Sequence, residues 1–387
     1  MTAALKTIPV SRPDLGQAEL DAVACVLASG WVAMGPETAR FEAEFAAFTG
    51  AGYACAVSSG TAALHIALMS LGIGPGDEVI TASHSFIATA SAIRLCGALP
   101  VFVDIDPVTF NLDPLLIEQA IGPRTRAILC VHQMGMPCDL RAILPLARTR
   151  GIPVVEDAAC AAGSEILWQN EWQRIGRPHG TMACFSFHPR KPITTGEGGM
   201  LTTNDPRLDA HFRALRSHGM SMPAHNRHSS PRVLWESYDA LGFNYRLSDV
   251  QSAIGRVQLQ RLPEFVARRR VLAELYRRLL AEVPAVTAPV EPAWARTNWQ
   301  SYCLRLEAGL DQRTVMQELL DRGIATRRGV MCAHREPAYP EGTWRAAGSL
   351  RHSEEAQDRT IWVPLATGMS EAEVEFAVEC IGEACRR

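Results

Sequence analysis

The 387-residue sequence has no apolar run of membrane-spanning length, no CxxC pair, no internal repeat and no low-complexity block. The first absence argues against a transmembrane helix, and the stretch from Met1 to Pro13 lacks the apolar core of a signal peptide. Eleven cysteines, an odd number, are scattered from Cys25 to Cys385. Without paired spacing they indicate neither a disulfide framework nor a zinc knuckle, and a reducing cytoplasm is the expected compartment. Charge of one sign is also lacking: 38 Lys and Arg stand against 41 Asp and Glu, a formal charge of −3. Such a balance gives no bulk attraction to nucleic acid or an anionic membrane, so a phosphate would have to be caught locally. No histidine belongs to a metal-ligand cluster, and no metal is expected.

What is present reads as a soluble α/β enzyme. Apolar residues make up 47% and charged residues 20% of a chain long enough for two domains. Phe41, Phe45 and Phe48 recur at helical spacing, and Thr61 to Leu71 reads as a helix behind a Ser-Ser-Gly turn. Val101 to Val103, Ala127 to Val131 and Pro153 to Val155 read as buried strands, whose carboxyl ends would collect the chemistry. Beyond Asp249 the character changes to an Arg-rich helix, Val257 to Leu280, followed by a proline-containing linker, Val283 to Pro292. A large domain over residues 1–256 and a smaller α+β domain over residues 257–387 are expected.

Lys191 is the residue most suggestive of chemistry. It sits in Phe185-Ser186-Phe187-His188-Pro189-Arg190-Lys191, followed by a glycine-rich turn. Among aromatic and small residues its cation is poorly solvated, so the amine can become neutral and hold an aldehyde cofactor as a Schiff base. Ser59-Gly60-Thr61-Ala62 joins a tight turn to a helix start, where free N–H groups favour a phosphate, although the same pattern serves as an ordinary cap. Glu156-Asp157 ends a buried strand; an aspartate there, facing a pyridine nitrogen, can stay ionised and keep that nitrogen protonated. Ser186 could face the phosphate, and Phe86 is the candidate to lie against an aromatic ring.

In this order, together with Gly30-Trp31-Val32-Ala33-Met34-Gly35-Pro36 and Gly242-Phe243-Asn244-Tyr245-Arg246-Leu247-Ser248-Asp249, these motifs resemble the DegT/DnrJ/EryC1/StrS sugar aminotransferases. The resemblance implies a type I fold for pyridoxal-phosphate-dependent transferases, with a mostly parallel seven-stranded sheet and a smaller C-terminal domain. It implies pyridoxal 5'-phosphate as cofactor and a homodimer with shared active sites. Lys191 and Asp157 correspond to the catalytic lysine and the partner of the pyridine nitrogen. Gly60, Thr61, Ala62, Phe86, Cys160, Ser186 and Asn244 correspond to cofactor contacts, Asn244 reaching the phosphate of a neighbouring subunit.

Trp31, His188 and His334 are candidates to face the substrate. Cys160 stands where many relatives have histidine or glutamine, and a thiol is a weak partner for the cofactor's ring oxygen. Ile166 to Pro178, with Trp168 and Trp172, reads as a longer connection able to reshape the substrate entrance. The arginines of Thr326 to Pro337 could meet a carboxylate or phosphate.

The expected activity is ping-pong transfer of an amine from an amino acid, glutamate, to a keto sugar, with a nucleotide-linked one favoured. The alternatives are a sugar dehydratase, in which relatives carry histidine at the lysine position, and a non-catalytic regulatory protein that binds the cofactor.

Overall fold

The computed structural model describes residues 7–222 and 231–386. Its main sheet has eight strands, in the order Tyr53–Val57, Gly199–Thr203, Met182–Ser186, Val154–Asp157, Thr125–Val131, Glu78–Ala82, Leu99–Val103 and Arg345–Ala346. Seven are the strands expected of the large domain; the eighth is a two-residue strand from the C-terminal part, added parallel to Leu99–Val103. Only Gly199–Thr203 runs against its neighbours. The central strands are covered on both faces, which is why they read as continuous apolar runs: Ile128, Leu129 and Cys130 are all fully buried.

Parallel strands need crossovers, so their carboxyl ends gather at one edge. Asp157 lies there, level with Val131 on one side and Cys184 on the other. The turn Ser58-Ser59, the bend Ser83 to Phe86 and Ser186 leave the sheet at the same edge. This convergence positions the candidate site.

The helix expected from Val257 begins earlier, at Asp249, and runs unbroken to Leu280 through Pro263. Its start is set by a capping box, in which Ser248 and Gln251 satisfy each other's backbone N–H groups. Leu259, Leu262, Phe265 and Val266 pack into the main core, whereas Leu272, Leu275, Tyr276 and Leu280 pack into a second one. Residues 256 and 257 both lie inside this helix, so the chain passes from one core to the other along it. The second core backs a four-stranded antiparallel sheet, Val286–Thr287, Tyr302–Leu306, Thr360–Val363 and Arg327–Arg328, flanked by Gln312–Asp321 and Glu371–Ala384.

The carboxylate of Asp249 also caps a distant helix, Pro36–Thr49. It accepts from the N–H groups of Gly35 (2.7 Å), Thr38 (3.0 Å) and Glu37 (3.1 Å) and from the Thr38 hydroxyl (2.8 Å). The first turn of Pro36–Thr49, which carries no side-chain cap of its own at Gly35, obtains its acceptors in this way.

Residues 166–178 are largely ordered as a hairpin. Glu165–Trp168 pairs with Glu171–Arg174 across a two-residue turn in which Gln169 and Asn170 both have positive φ, and Ala295–Arg296 adds a third strand. Trp168 packs 4.9 Å from the His179 ring, and Trp172 lies under the Arg296 guanidinium at 3.8 Å. Among the described residues no helix is long and apolar enough to cross a membrane.

Candidate active site

At the carboxyl edge the chain turns from Tyr53–Val57 into the helix Gly60–Ser70. Ser59 is its N-cap and takes the Ala62 N–H at 3.1 Å, so the backbone donor of Ala62 is already engaged. The N–H groups of Gly60 and Thr61, and the Thr61 hydroxyl, have no acceptor among the described residues. Three free donors at a helix start make a cradle for an oxyanion. Gly60 is required by crowding, because a Cβ there would lie 2.7 Å from the Ser186 Cβ. That contact brings the Ser186 hydroxyl to the mouth of the cradle. The backbone carbonyl of Tyr245 accepts from Ser58 N–H at 2.8 Å, which fixes the neighbouring Asn244 near this turn with its side chain exposed.

Asp157 is buried and receives two hydrogen bonds, from the Thr89 hydroxyl at 2.8 Å and the Ala159 N–H at 3.1 Å. Burial lifts its pKa above the ordinary aspartate range, against the pull of Thr89, Ala159, Lys191 and His132. The carboxylate is therefore short of positive charge. Glu156, next in sequence, points to the other face of the sheet, as strand alternation dictates. It accepts from Gly180 N–H at 2.9 Å and pairs with His132 Nε2 at 3.1 Å. Because His132 Nδ1 accepts the Cys138 N–H, the ring's proton sits on Nε2. His132 also donates its backbone N–H to the Asp157 carbonyl, at 3.0 Å, steadying the strand end.

Lys191 enters the cleft from a turn closed by its own N–H donating to the His188 carbonyl at 2.8 Å. Its Nζ donates to the Cys160 sulfur at 3.0 Å. Asn298 holds the Cys160 carbonyl and Gln300 the Arg190 carbonyl, each at 2.8 Å, so the segment leading into the second sheet braces both walls of the lysine. Phe86, in the bend before the helix Ala88–Leu95, is 55% exposed, an apolar ring face open to an incoming aromatic group.

The three substrate candidates are placed differently. His188 is half-buried beside Lys191, and burial depresses its pKa. His334 has both ring nitrogens engaged, by the Ser83 hydroxyl at 2.6 Å and the Glu354 carboxylate at 3.0 Å, so it ties the C-terminal part to the sheet edge. Trp31 lines a groove of about 650 Å³ with Arg40, Asp249 and Arg256, whose lining includes neither Lys191 nor Asp157.

Thr89, His132, Asn298 and Gln300 support the site without having been identified from the sequence. They are common polar residues far along the chain from their partners; Thr89, for example, is 68 positions from Asp157. Lys191, by contrast, carried a further signal: it and Lys6 are the only lysines in the sequence.

The model of the DegT/DnrJ/EryC1/StrS aminotransferase family matches residues 13–382. The spore coat polysaccharide biosynthesis protein SpsC of Bacillus subtilis is 38% identical over 378 residues, covering 97% of this chain and 96% of that protein. Among solved structures, the aminotransferase TlmJ from Streptoalloteichus hindustanus is 38% identical, with a TM-score of 0.89 and 98% of each chain covered. DesV from S. venezuelae, solved in complex with a ketimine intermediate, is 35% identical with a TM-score of 0.87, covering 98% of this chain and 99% of that one. Other solved relatives include a pyridoxal-phosphate form. The chain thus belongs to the DegT/DnrJ/EryC1/StrS family of pyridoxal-phosphate-dependent aminotransferases.

Proposed function

We propose that this aminotransferase moves an amine from glutamate to a nucleotide-linked keto sugar, in two half-reactions that share one site. The observation that carries the reading is an amine, Lys191, and a buried carboxylate that no cation contacts among the described residues, Asp157, gathered at the edge where an anion cradle and an open aromatic face also lie. The residues fit the cofactor. The free N–H groups of Gly60 and Thr61, with the hydroxyls of Thr61 and Ser186, suit its phosphate, and Phe86 suits its ring.

When bound, pyridoxal phosphate supplies an electron sink for charge developing on the amino-bearing carbon. Asp157 would hold a proton on the ring nitrogen, and the Thr89 hydroxyl fixes the direction of the carboxylate. With the cofactor held there, Lys191 Nζ would be the base that takes the proton from the donor's amino-bearing carbon and the acid that returns one to the acceptor. Before that step, Cys160 holds the amine in the cleft. Retention of lysine at this position favours transfer over sugar dehydration.

A homodimer completes the proposal. Asn244 is exposed, and the nearby segment presents Val233, Trp235 and Leu241 at 84%, 86% and 92% exposure, an apolar surface suited to a second copy. All eleven cysteines are unpaired, in keeping with a reducing cytoplasm.

The test incubates cofactor-loaded protein with glutamate and a panel of free and nucleotide-linked keto sugars. The expected result is 2-oxoglutarate formed in step with an amino sugar of matching mass. A dehydrated sugar without 2-oxoglutarate would instead establish elimination.

A further inference from the structure

Three arginines and a histidine crowd residues 326–337, and all but one of these side chains are committed within the protein. Arg328 pairs with Glu336 at 3.0 Å, Arg335 with Asp358 at 2.8 Å, and His334 with Ser83 and Glu354. Arg327 has neither a carboxylate nor a hydrogen-bond acceptor among the described residues.

The guanidinium of Arg190 is in the same condition among the described residues. It is half-buried, next to Lys191, with its backbone pinned by Gln300. The sheet register places both near the start of the second sheet, within reach of each other's charge. Arg327 lies opposite Trp362, Trp362 lies opposite Cys303, and the strand carrying Cys303 follows directly from Gln300.

We infer that Arg190 and Arg327 form an oxyanion subsite beside Lys191, for a carboxylate of the amino donor or a phosphate of the acceptor. The inference rests on the reading of this cleft as the place where substrates meet Lys191. A half-buried guanidinium without a counterion is costly, and the charge of Arg327 nearby adds to the cost. Burial, then the proximity of Arg327, pushes Arg190 below the ordinary arginine range, and no carboxylate offsets it. Glu197 acts on His188, which also feels Arg190, Lys191 and Arg327. The planar forks of two guanidiniums match the geometry of carboxylate and phosphate oxygens, and a bound oxyanion removes the repulsion. Arg190 is therefore a specificity residue contributed by the lysine turn itself, and Arg327 its counterpart from the second sheet.

The experiment is calorimetric titration of the loaded enzyme with glutarate, a dicarboxylate that has no amine to transfer, and separately with inorganic pyrophosphate. Wild type is compared with Arg327→Gln, Arg327→Lys, Arg190→Gln and Arg328→Gln. Arg327→Gln and Arg190→Gln are each expected to weaken one probe by roughly tenfold or more, the affected probe identifying the source of the oxyanion. Arg327→Lys should recover part of the loss, and Arg328→Gln should bind within about twofold of wild type, as random surface changes do. Visible absorbance reports cofactor occupancy; if Arg190→Gln fails to load, the exposed Arg327→Gln decides alone. Undiminished binding in Arg327→Gln, or binding of neither probe by wild type, overturns the subsite. Intact probe binding without amine transfer from glutamate would support the subsite and remove only the donor assignment.

Discussion

Two buried carboxylates, Glu42 and Asp157, divide the molecule into a finished region and an unfinished one. Glu42 receives the Arg213 guanidinium at 2.7 Å, a close contact from Arg216 and the Ala56 N–H at 2.9 Å. Burial pushes its pKa up, but the two guanidiniums outweigh burial and bring it below the ordinary range. Asp157 is equally buried and has a hydroxyl and one N–H, and burial wins. The first carboxylate holds together the helix Pro36–Thr49, the strand Tyr53–Val57 and the helix Pro206–Leu215. The second has no cation in contact with it among the described residues, and the proposed function supplies one, a protonated ring nitrogen.

The contrast can be broken or sharpened by substitution. Lys191→Ala should lower amine transfer by about 10³-fold or more, the scale of losing a nucleophile that is also the proton carrier, with circular dichroism unchanged. Glu42→Ala should do the reverse: it strands Arg216 and costs roughly 3–5 kcal/mol in urea unfolding, while turnover per folded, loaded molecule stays near wild type. Asp157→Asn should reduce transfer by about 10²-fold, as loss of one positioned charge does, yet raise the stability of the cofactor-free protein at neutral pH. If Asp157→Asn destabilised the cofactor-free protein as Glu42→Ala does, the distinction between the two regions would collapse. Gly60→Ala should cost roughly 1–3 kcal/mol through overpacking against Ser186 and loosen cofactor retention on dilution.

The pH dependence completes the comparison, with opposite signs. Glu42 has a depressed folded pKa, so its contribution is present above the ordinary glutamate value and lost as pH falls through the folded one. Asp157 in the cofactor-free protein binds its proton more tightly than in the unfolded chain, so its contribution declines as pH rises from 3.8 through the raised value. Unfolding curves for wild type and Asp157→Asn across that interval should converge toward acid and separate above it.

The strands and the lysine run were legible in the sequence because each is local: apolar runs mark buried parallel strands, and aromatic, small and glycine residues surround Lys191. Asp157 was legible from its place at the end of such a run. Thr89, Asn298 and Gln300 were not, since a hydroxyl or amide announces nothing until the fold delivers it to a carboxylate or a carbonyl. The loop arginines were legible as a group but not individually. Only the pairing of Arg328 with Glu336 and Arg335 with Asp358 singles out Arg327. The hairpin Glu165–Arg174 escaped notice because its two-residue turn is Gln-Asn, without the glycine that usually announces one.

The Asp249 clamp bears on biosynthesis. The helix that it caps ends at Thr49, but the capping carboxylate is 211 residues beyond Thr38. At the ribosome's pace of about 5–20 residues per second, the N-terminal segment emerges and waits on the order of 10–40 s for its missing acceptor. For much of that interval the apolar stripe of Phe41 and Phe45 also lacks its packing partners Phe185 and Phe187, so this stretch of the nascent chain is apolar surface of the kind a chaperone shelters.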